Sequence, residues 1–417
     1  MRWLTWLLLI VSWVGSQALG ADAPPPKEWI DPDTGHRVVR LSDEPDSESF
    51  YFNVNPYTPD GKKMVFTSPS GIFAIDLATR KIETVVEGQR LRVVMVGRKT
   101  GQVYYNQRTI VFAADLETKE IRKIAELPFG HRVSAVNSDE TLLAGTNVIM
   151  DEKQAEEARA REEAITANTD SARKNRTRNL EQRYNDRLPM ELFFYNVKTG
   201  EINKFNRCND WLNHLLFSPT DPNLLMFCHE GPWHKVDRIW LIHSDGAGLA
   251  NIHKRTMNME IAGHEFWGAD GQTAWYDLQT PRGEDFWVAG YNVASGDRTW
   301  YHLERDQWSV HFNVSPDGKL FCGDGGSEGM VAHAENGKWI YLFHPEPVPD
   351  DAGPSINRKG LIKPGVFRWE RLVNMAKHDY ALEPNAIFTP DMKWIVFRSN
   401  MFGPSYVFAV EVAKAGK

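Results

Sequence analysis

The chain has 417 residues, 42% hydrophobic and 12% aromatic, which is ample apolar material for a large core and excludes a disordered protein. A net charge of −7 gives no electrostatic reason to expect nucleic acid as a partner, although the charge at a local site can oppose the global sign. Cys208, Cys228 and Cys322 are too few and too far apart for a disulfide framework or a CxxC metal knuckle; one pair could bridge, but buried small hydrophobes are the commoner case.

Residues 1–20 read as a signal peptide. Met1-Arg2 supplies a positive start, Leu4 to Val14 is a nearly unbroken apolar run, and small residues follow at Ala18, Gly20 and Ala21. The run is short for a membrane span, and no Cys near it offers a lipid anchor. The expectation is an exported protein, periplasmic or secreted, with no membrane association once the signal is removed.

From residue 29 to 417 the expectation is a single all-β domain. Asp33-Thr34-Gly35 and His36 to Leu41 look like an outer strand without a blade of its own. A unit then recurs: a short apolar run, a turn of the Ser-Pro-Asp-Gly kind, and a β-rich run. It stands at Val54 before Thr58-Pro59-Asp60-Gly61, at His214 before Ser218-Pro219, and at His264 before Gly268-Ala269-Asp270-Gly271. Further copies are His311 before Ser315-Pro316-Asp317-Gly318 and Asn385 before Thr389-Pro390-Asp391, with weaker ones at Val93 and Val133. Pro presets φ and Gly supplies positive φ, so these are tight reversals between antiparallel strands. Second hairpins turn at Asp76, Asp115, Asn196 and Asn292. Four short strands per repeat is the pattern of a propeller blade, and the copies make a seven-bladed β-propeller. The N-terminal strand would complete the last blade and remove the ring's free edges. Residues 151–187, rich in Glu, Arg, Ala and Lys, read as a charged helical insertion in the third blade, and Pro345 to Pro364 reads as loop.

The first residue of each copy runs Val54, Val93, Val133, His214, His264, His311, Asn385. Equivalent positions of a propeller ring its axis, so four neighbouring blades should bring His, His, His and Asn together. Beside them Cys228-His229-Glu230-Gly231-Pro232-Trp233-His234-Lys235-Val236-Asp237-Arg238 holds two more His, a Glu and an Arg. Arg238 is either a carboxylate clamp or the partner of Asp237 or Glu230. With His264 as a base near neutral pH, a clamp suggests proton abstraction next to a carboxylate, as at C5 of a uronic acid, with a divalent metal adding charge.

At these residues the chain resembles the oligogalacturonate lyase family, the pectate lyase 22 group of seven-bladed, manganese-using propellers. The resemblance runs from about His214 onward and is specific in Cys228-His229-Glu230-Gly231-Pro232, His264-Glu265-Phe266-Trp267 and Gly323-Asp324-Gly325. It implies that His264 is the base, that Arg238 follows the His-Glu-Gly-Pro segment as the family's Arg does, and that His311 binds metal. The family's Gln-x-x-His-Pro-His ligand segment becomes Tyr380-Ala381-Leu382-Glu383-Pro384-Asn385 here. Glu383 and Asn385 would then join His311 at a divalent ion, Mn²⁺ foremost, with Ca²⁺ or Mg²⁺ also suited to oxygen ligands. His378 and Asp379 are nearby substitutes.

The leading expectation is a lyase cleaving oligogalacturonides or a related uronate oligomer by β-elimination, with His214, His229 and His234 binding substrate. The alternative is a non-catalytic TolB-type propeller that binds a glycan or a protein, since propellers host both. A hydrolase is weaker, because no carboxylate pair is placed for glycoside hydrolysis.

Overall fold

A computed structural model of the chain describes residues 25–167, 180–350 and 360–415. The segment read as a signal peptide and part of the insertion lie outside the described residues.

The strands form seven consecutive antiparallel blades. The first has three named strands, Lys63–Ser68, Gly71–Asp76 and Ile82–Glu87, with only the bridge Tyr57↔Met64 marking its innermost segment. The inner strands of the next four blades are Arg92–Val96, His131–Val136, Trp211–Phe217 and Ile261–Trp267. Those of the last two are Phe312–Val314 and Ile387–Phe388. Blade seven takes His36–Arg40 as its outer strand, paired to Tyr406–Lys414, and Glu28–Ile30 beyond it. The N-terminal strand thus closes the ring as the sequence implies, and Val38 packs fully buried opposite Val410.

Side-chain chemistry explains the turns. In Thr58-Pro59-Asp60, Ser315-Pro316-Asp317 and Thr389-Pro390-Asp391 the hydroxyl donates to the Asp carboxylate at 2.7 Å, and the same carboxylate accepts a backbone N–H two residues on at 3.1 Å. The second hairpins use Asp or Asn in the same way: Asp76, Asp115, Asn196 and Asn292 each accept N–H groups two and three residues ahead.

Two features depart from the expectation. Pro345 to Pro364 is not simply loop: its ends belong to the long strands Trp339–Pro347 and Ile362–Asn374. The second of these also pairs in parallel with Arg298–Leu303, joining blades five and six into one eight-stranded sheet. Edge pairing to a neighbouring blade offsets the Pro content that argues against a strand. The insertion is helical at both ends, Glu152–Ala167 and Leu180–Asp186. Asp151 caps the first helix through the Gln154 N–H at 2.8 Å. The second leans on blade four, with the Arg183 guanidinium over the Trp211 ring at 3.7 Å and Lys235 bound to Glu181 at 2.8 Å.

Candidate active site

The inner strands of blades four and five each carry one extra residue. Their registers pass from Asn213↔Cys228 to Leu216↔Met226 and from Gly263↔Asp277 to Phe266↔Trp275. The bulges fall at His214 and His264, whose φ values of 47° and 46° are left-handed; Asn385 in blade seven has φ 56°. Such a backbone costs a side-chain-bearing residue on the order of 1–3 kcal/mol, and a bulge re-aims the side chain. The strain therefore coincides with three of the four ring positions singled out by the repeat.

Those positions meet. The rings of His264 and His311 lie 4.5 Å apart, and His264 Nδ1 is 3.3 Å from Asp277 while His311 Nδ1 is 2.7 Å from Asp324. Each Asp stands thirteen residues after its His, Asp277 on the next strand of the blade and Asp324 directly after it. Asp324 also accepts the N–H groups of His311 and Asn385, at 2.9 and 3.0 Å. Its flanking glycines explain the Gly-Asp-Gly motif: a Cβ on Gly323 would meet Ser309 at 2.5 Å, and Gly325 has φ 71°. Burial opposes charge on His311, but Asp324, Glu383 and Asp277 outweigh it and hold its pKa above the ordinary imidazole value.

Arg238 is 2% exposed. It bonds Glu230 through Nη1 and Glu265 through Nε at 3.2 Å, and it packs on the Trp233 ring, which meets His264 edge-on at 4.7 Å. Of the two alternatives for Arg238, the pairing with Glu230 is the one present. A guanidinium removed from water needs counter-charges, and two carboxylates already supply them. Burial works against the Glu230 carboxylate, yet Arg238 and His214, whose Nε2 is 3.1 Å away, keep it well below the usual range.

A segment without a repeat signature completes the site. Tyr51-Phe52-Asn53 crosses the ring ahead of blade one. Asn53 donates to the Glu265 carbonyl at 2.9 Å, the Phe52 N–H reaches the Asn385 side chain at 3.3 Å, and the Phe52 ring stacks on His311 at 4.5 Å. The Tyr51 hydroxyl lies 3.2 Å from His311 Nε2, and burial, reinforced by Glu383, pushes its pKa well above 10.

Other candidates fall elsewhere. His229 alternates with Cys228 and Glu230 along Leu224–Glu230, so its ring faces away from His214; it stacks on Trp240 at 4.9 Å and pairs with Asp210 at 3.2 Å. This corrects its grouping with the substrate-facing residues. His234 lies in the short helical turn Trp233–Lys235, its carbonyl bound by Arg255. His378 is no substitute ligand: its ring nitrogens meet the Ser399 hydroxyl at 3.0 Å and the Leu382 carbonyl at 2.7 Å. Tyr380 is buried and donates to the Asp324 carbonyl at 2.8 Å.

Among the described residues, two groups of three donors could hold a metal ion, Cys208–Asp210–His229 and His214–Cys228–Glu230. Each already has a cation beside it, Arg187 on Asp210 at 2.6 Å and Arg238 on Glu230. The His311 group differs. Glu383 lies 3.8 Å from His311 Nε2 and Asn385 stands two residues on. Among the described residues no Lys or Arg pairs with Asp277, Asp324 or Glu383, and the buried Asp277 Oδ1 has no hydrogen-bond partner. Imidazole and oxygen donors in an acidic pocket lacking its own cation fit a divalent metal.

The propeller thus brings two aspartate-paired imidazoles together at neighbouring blades. The chain belongs to the oligogalacturonate lyase family, whose model matches residues 27–415, and is with that family a polysaccharide lyase. It is 25% identical over 403 residues to an oligogalacturonate lyase of Dickeya dadantii (strain 3937), covering 91% of this chain and 94% of that protein. An oligogalacturonide lyase of Pectobacterium atrosepticum is likewise 25% identical, over 407 residues, with the same coverage. Two solved structures share the fold. One is an oligogalacturonate lyase in complex with manganese, at TM-score 0.71 and 22% identity over 93% of this chain and 96% of that one. The other is an oligogalacturonate lyase from Vibrio parahaemolyticus, at TM-score 0.72 and 21% identity over 94% and 97%.

Proposed function

We propose that the protein cleaves oligogalacturonides, or a closely related uronate oligomer, by β-elimination, with His264 as the base. The observation that carries this reading is the geometry of His264: a left-handed bulge aims it into the site, and Asp277 at 3.3 Å orients its Nδ1. That leaves Nε2 as the lone pair for a substrate proton.

The base takes the proton from C5, next to the uronate carboxylate; the C4–C5 double bond forms as the C4–O bond breaks. The departing oxygen needs a proton, and Tyr51, a neutral phenol at working pH, is the donor. Arg238, fixed by Glu230 and Glu265, acts as a buried positive charge behind Trp233 and His264 and as a support for the site floor. His214 and His234 remain substrate-side candidates at the rim.

His311 Nε2 and Glu383, with Asn385 beside them, would hold a divalent cation of the Mn²⁺ type. When bound, it supplies charge that stabilises the uronate carboxylate as the C5 proton leaves. Among the described residues no helix is long and apolar enough to cross a membrane, and we read residues 1–20 as directing export to the periplasm or medium.

Incubation with digalacturonate and trigalacturonate tests the reading through the ultraviolet absorbance of the unsaturated uronate. The expected signal is lost in His264→Ala. An equal rate in that variant removes His264 from the base role.

A further inference from the structure

The central channel carries a feature that the reaction leaves unused. Each inner strand runs into a turn whose first residue donates its N–H back across the hairpin: Thr58, Gly97, Asn137, Ser218, Gly268, Ser315 and Thr389. Of the residues that follow, Arg98, Ser138, Pro219, Ala269 and Pro316 form the part of this turn ring that lines the channel, where His264 does not. Arg98 is its one charged member.

A cavity of about 180 Å³ extends from Phe52, beneath His311, to this ring. Arg98 is the only charged residue in its lining, and no Asp or Glu faces it. Among the described residues Arg98 has no hydrogen bond or ion pair, whereas Arg238 in the same ring of blades has two carboxylates. The Arg98 side chain is accessible, yet burial alone pushes its pKa down to about 10. Arg98 is thus a solvent-accessible member of the cavity lining. A guanidinium facing a lining without a carboxylate leaves its planar fork of donors open to an anion. Ser134 and Ser138, half-buried in the adjacent blade, line the same cavity and bring hydroxyl donors. The volume corresponds to about six waters, the size of a compact anion.

We propose that the turn end of the channel is an anion site, in which Arg98 with Ser134 and Ser138 binds a compact carboxylate or phosphate independently of the His264 site. A guanidinium recognises both oxyanions by the same paired hydrogen bonds.

Calorimetric titration of the full-length mature protein at low ionic strength tests this, with inorganic phosphate and monomeric galacturonate as separate probes. At least one probe should bind saturably to wild type and to His264→Ala with affinities within about twofold. Arg98→Gln should weaken that binding at least about tenfold and Arg98→Lys less, since Lys keeps the charge but loses the fork. Saturation by phosphate alone identifies an inorganic oxyanion, and saturation by galacturonate alone a carboxylated sugar. The proposal is overturned if neither probe saturates, if Arg98→Gln binds as wild type does, or if His264→Ala rather than Arg98→Gln abolishes binding.

Discussion

His264 and His311 are the same device built twice, an imidazole at one repeat position of the innermost segment and an aspartate thirteen residues later that fixes its Nδ1. Because Asp277 orients the base rather than touching substrate, Asp277→Asn should lower kcat with KM little changed. The loss should fall within the range of about 10²–10⁴ that general-base catalysis contributes, and His264→Ala should reach its upper end. Initial rates across substrate concentrations separate the two constants. Tyr51→Phe keeps the ring packed against Phe52 and His311 but removes the hydroxyl. It should lower kcat with the thermal midpoint nearly unchanged, whereas a purely packing role would leave kcat intact. The His ring was legible because the repeat aligns its members. The two aspartates were legible in principle, as a shared spacing that shows only once both His are paired with the next strand. Tyr51 was not, because it precedes the first repeat copy and reaches the site by crossing the ring. Of the two readings of Arg238, the pairing with Glu230 was legible from sequence proximity, whereas the second counter-charge, Glu265, comes from the neighbouring blade.

Ring closure depends on the N-terminal strand at the element scale. Val38→Asp places a charge opposite Val410 in a fully buried pair and should cost on the order of 3–5 kcal/mol, read as a lowered denaturant midpoint. His378 makes stability depend on pH. Burial, its largest influence, lowers its pKa to about 4, while an unfolded imidazole titrates near about 6.5. Between those values the unfolded chain binds the extra proton, so this contribution to stability is present at neutral pH and falls as pH drops from about 6.5 toward 4. Denaturant midpoints at pH 7 and pH 5 should differ less in His378→Gln than in wild type. The turns could be read from sequence because their chemistry is local, and the closing strand because the repeat left it without a blade of its own while the last blade lacked an outer strand. The strands hidden in Pro345 to Pro364 could not, since they owe their order to parallel pairing with the neighbouring blade.

At the scale of the whole molecule, the propeller places Asp277, Asp324 and Glu383, which among the described residues pair with His but with no Lys or Arg, on blades five to seven and the buried, neutralised Arg238 on blade four. A metal chelator should therefore depress turnover, and Mn²⁺ should restore it, whereas Glu383→Ala should weaken the metal response more than it weakens the fold. The altered last-blade segment, Tyr380 to Asn385, keeps the Glu383 carboxylate near His311 while its Tyr buttresses Asp324. The most direct test of the account is the appearance of unsaturated uronate from trigalacturonate, followed by ultraviolet absorbance in metal-stripped protein with and without Mn²⁺. The account predicts metal-stimulated absorbance that disappears in His264→Ala. Undiminished absorbance in that variant would contradict it.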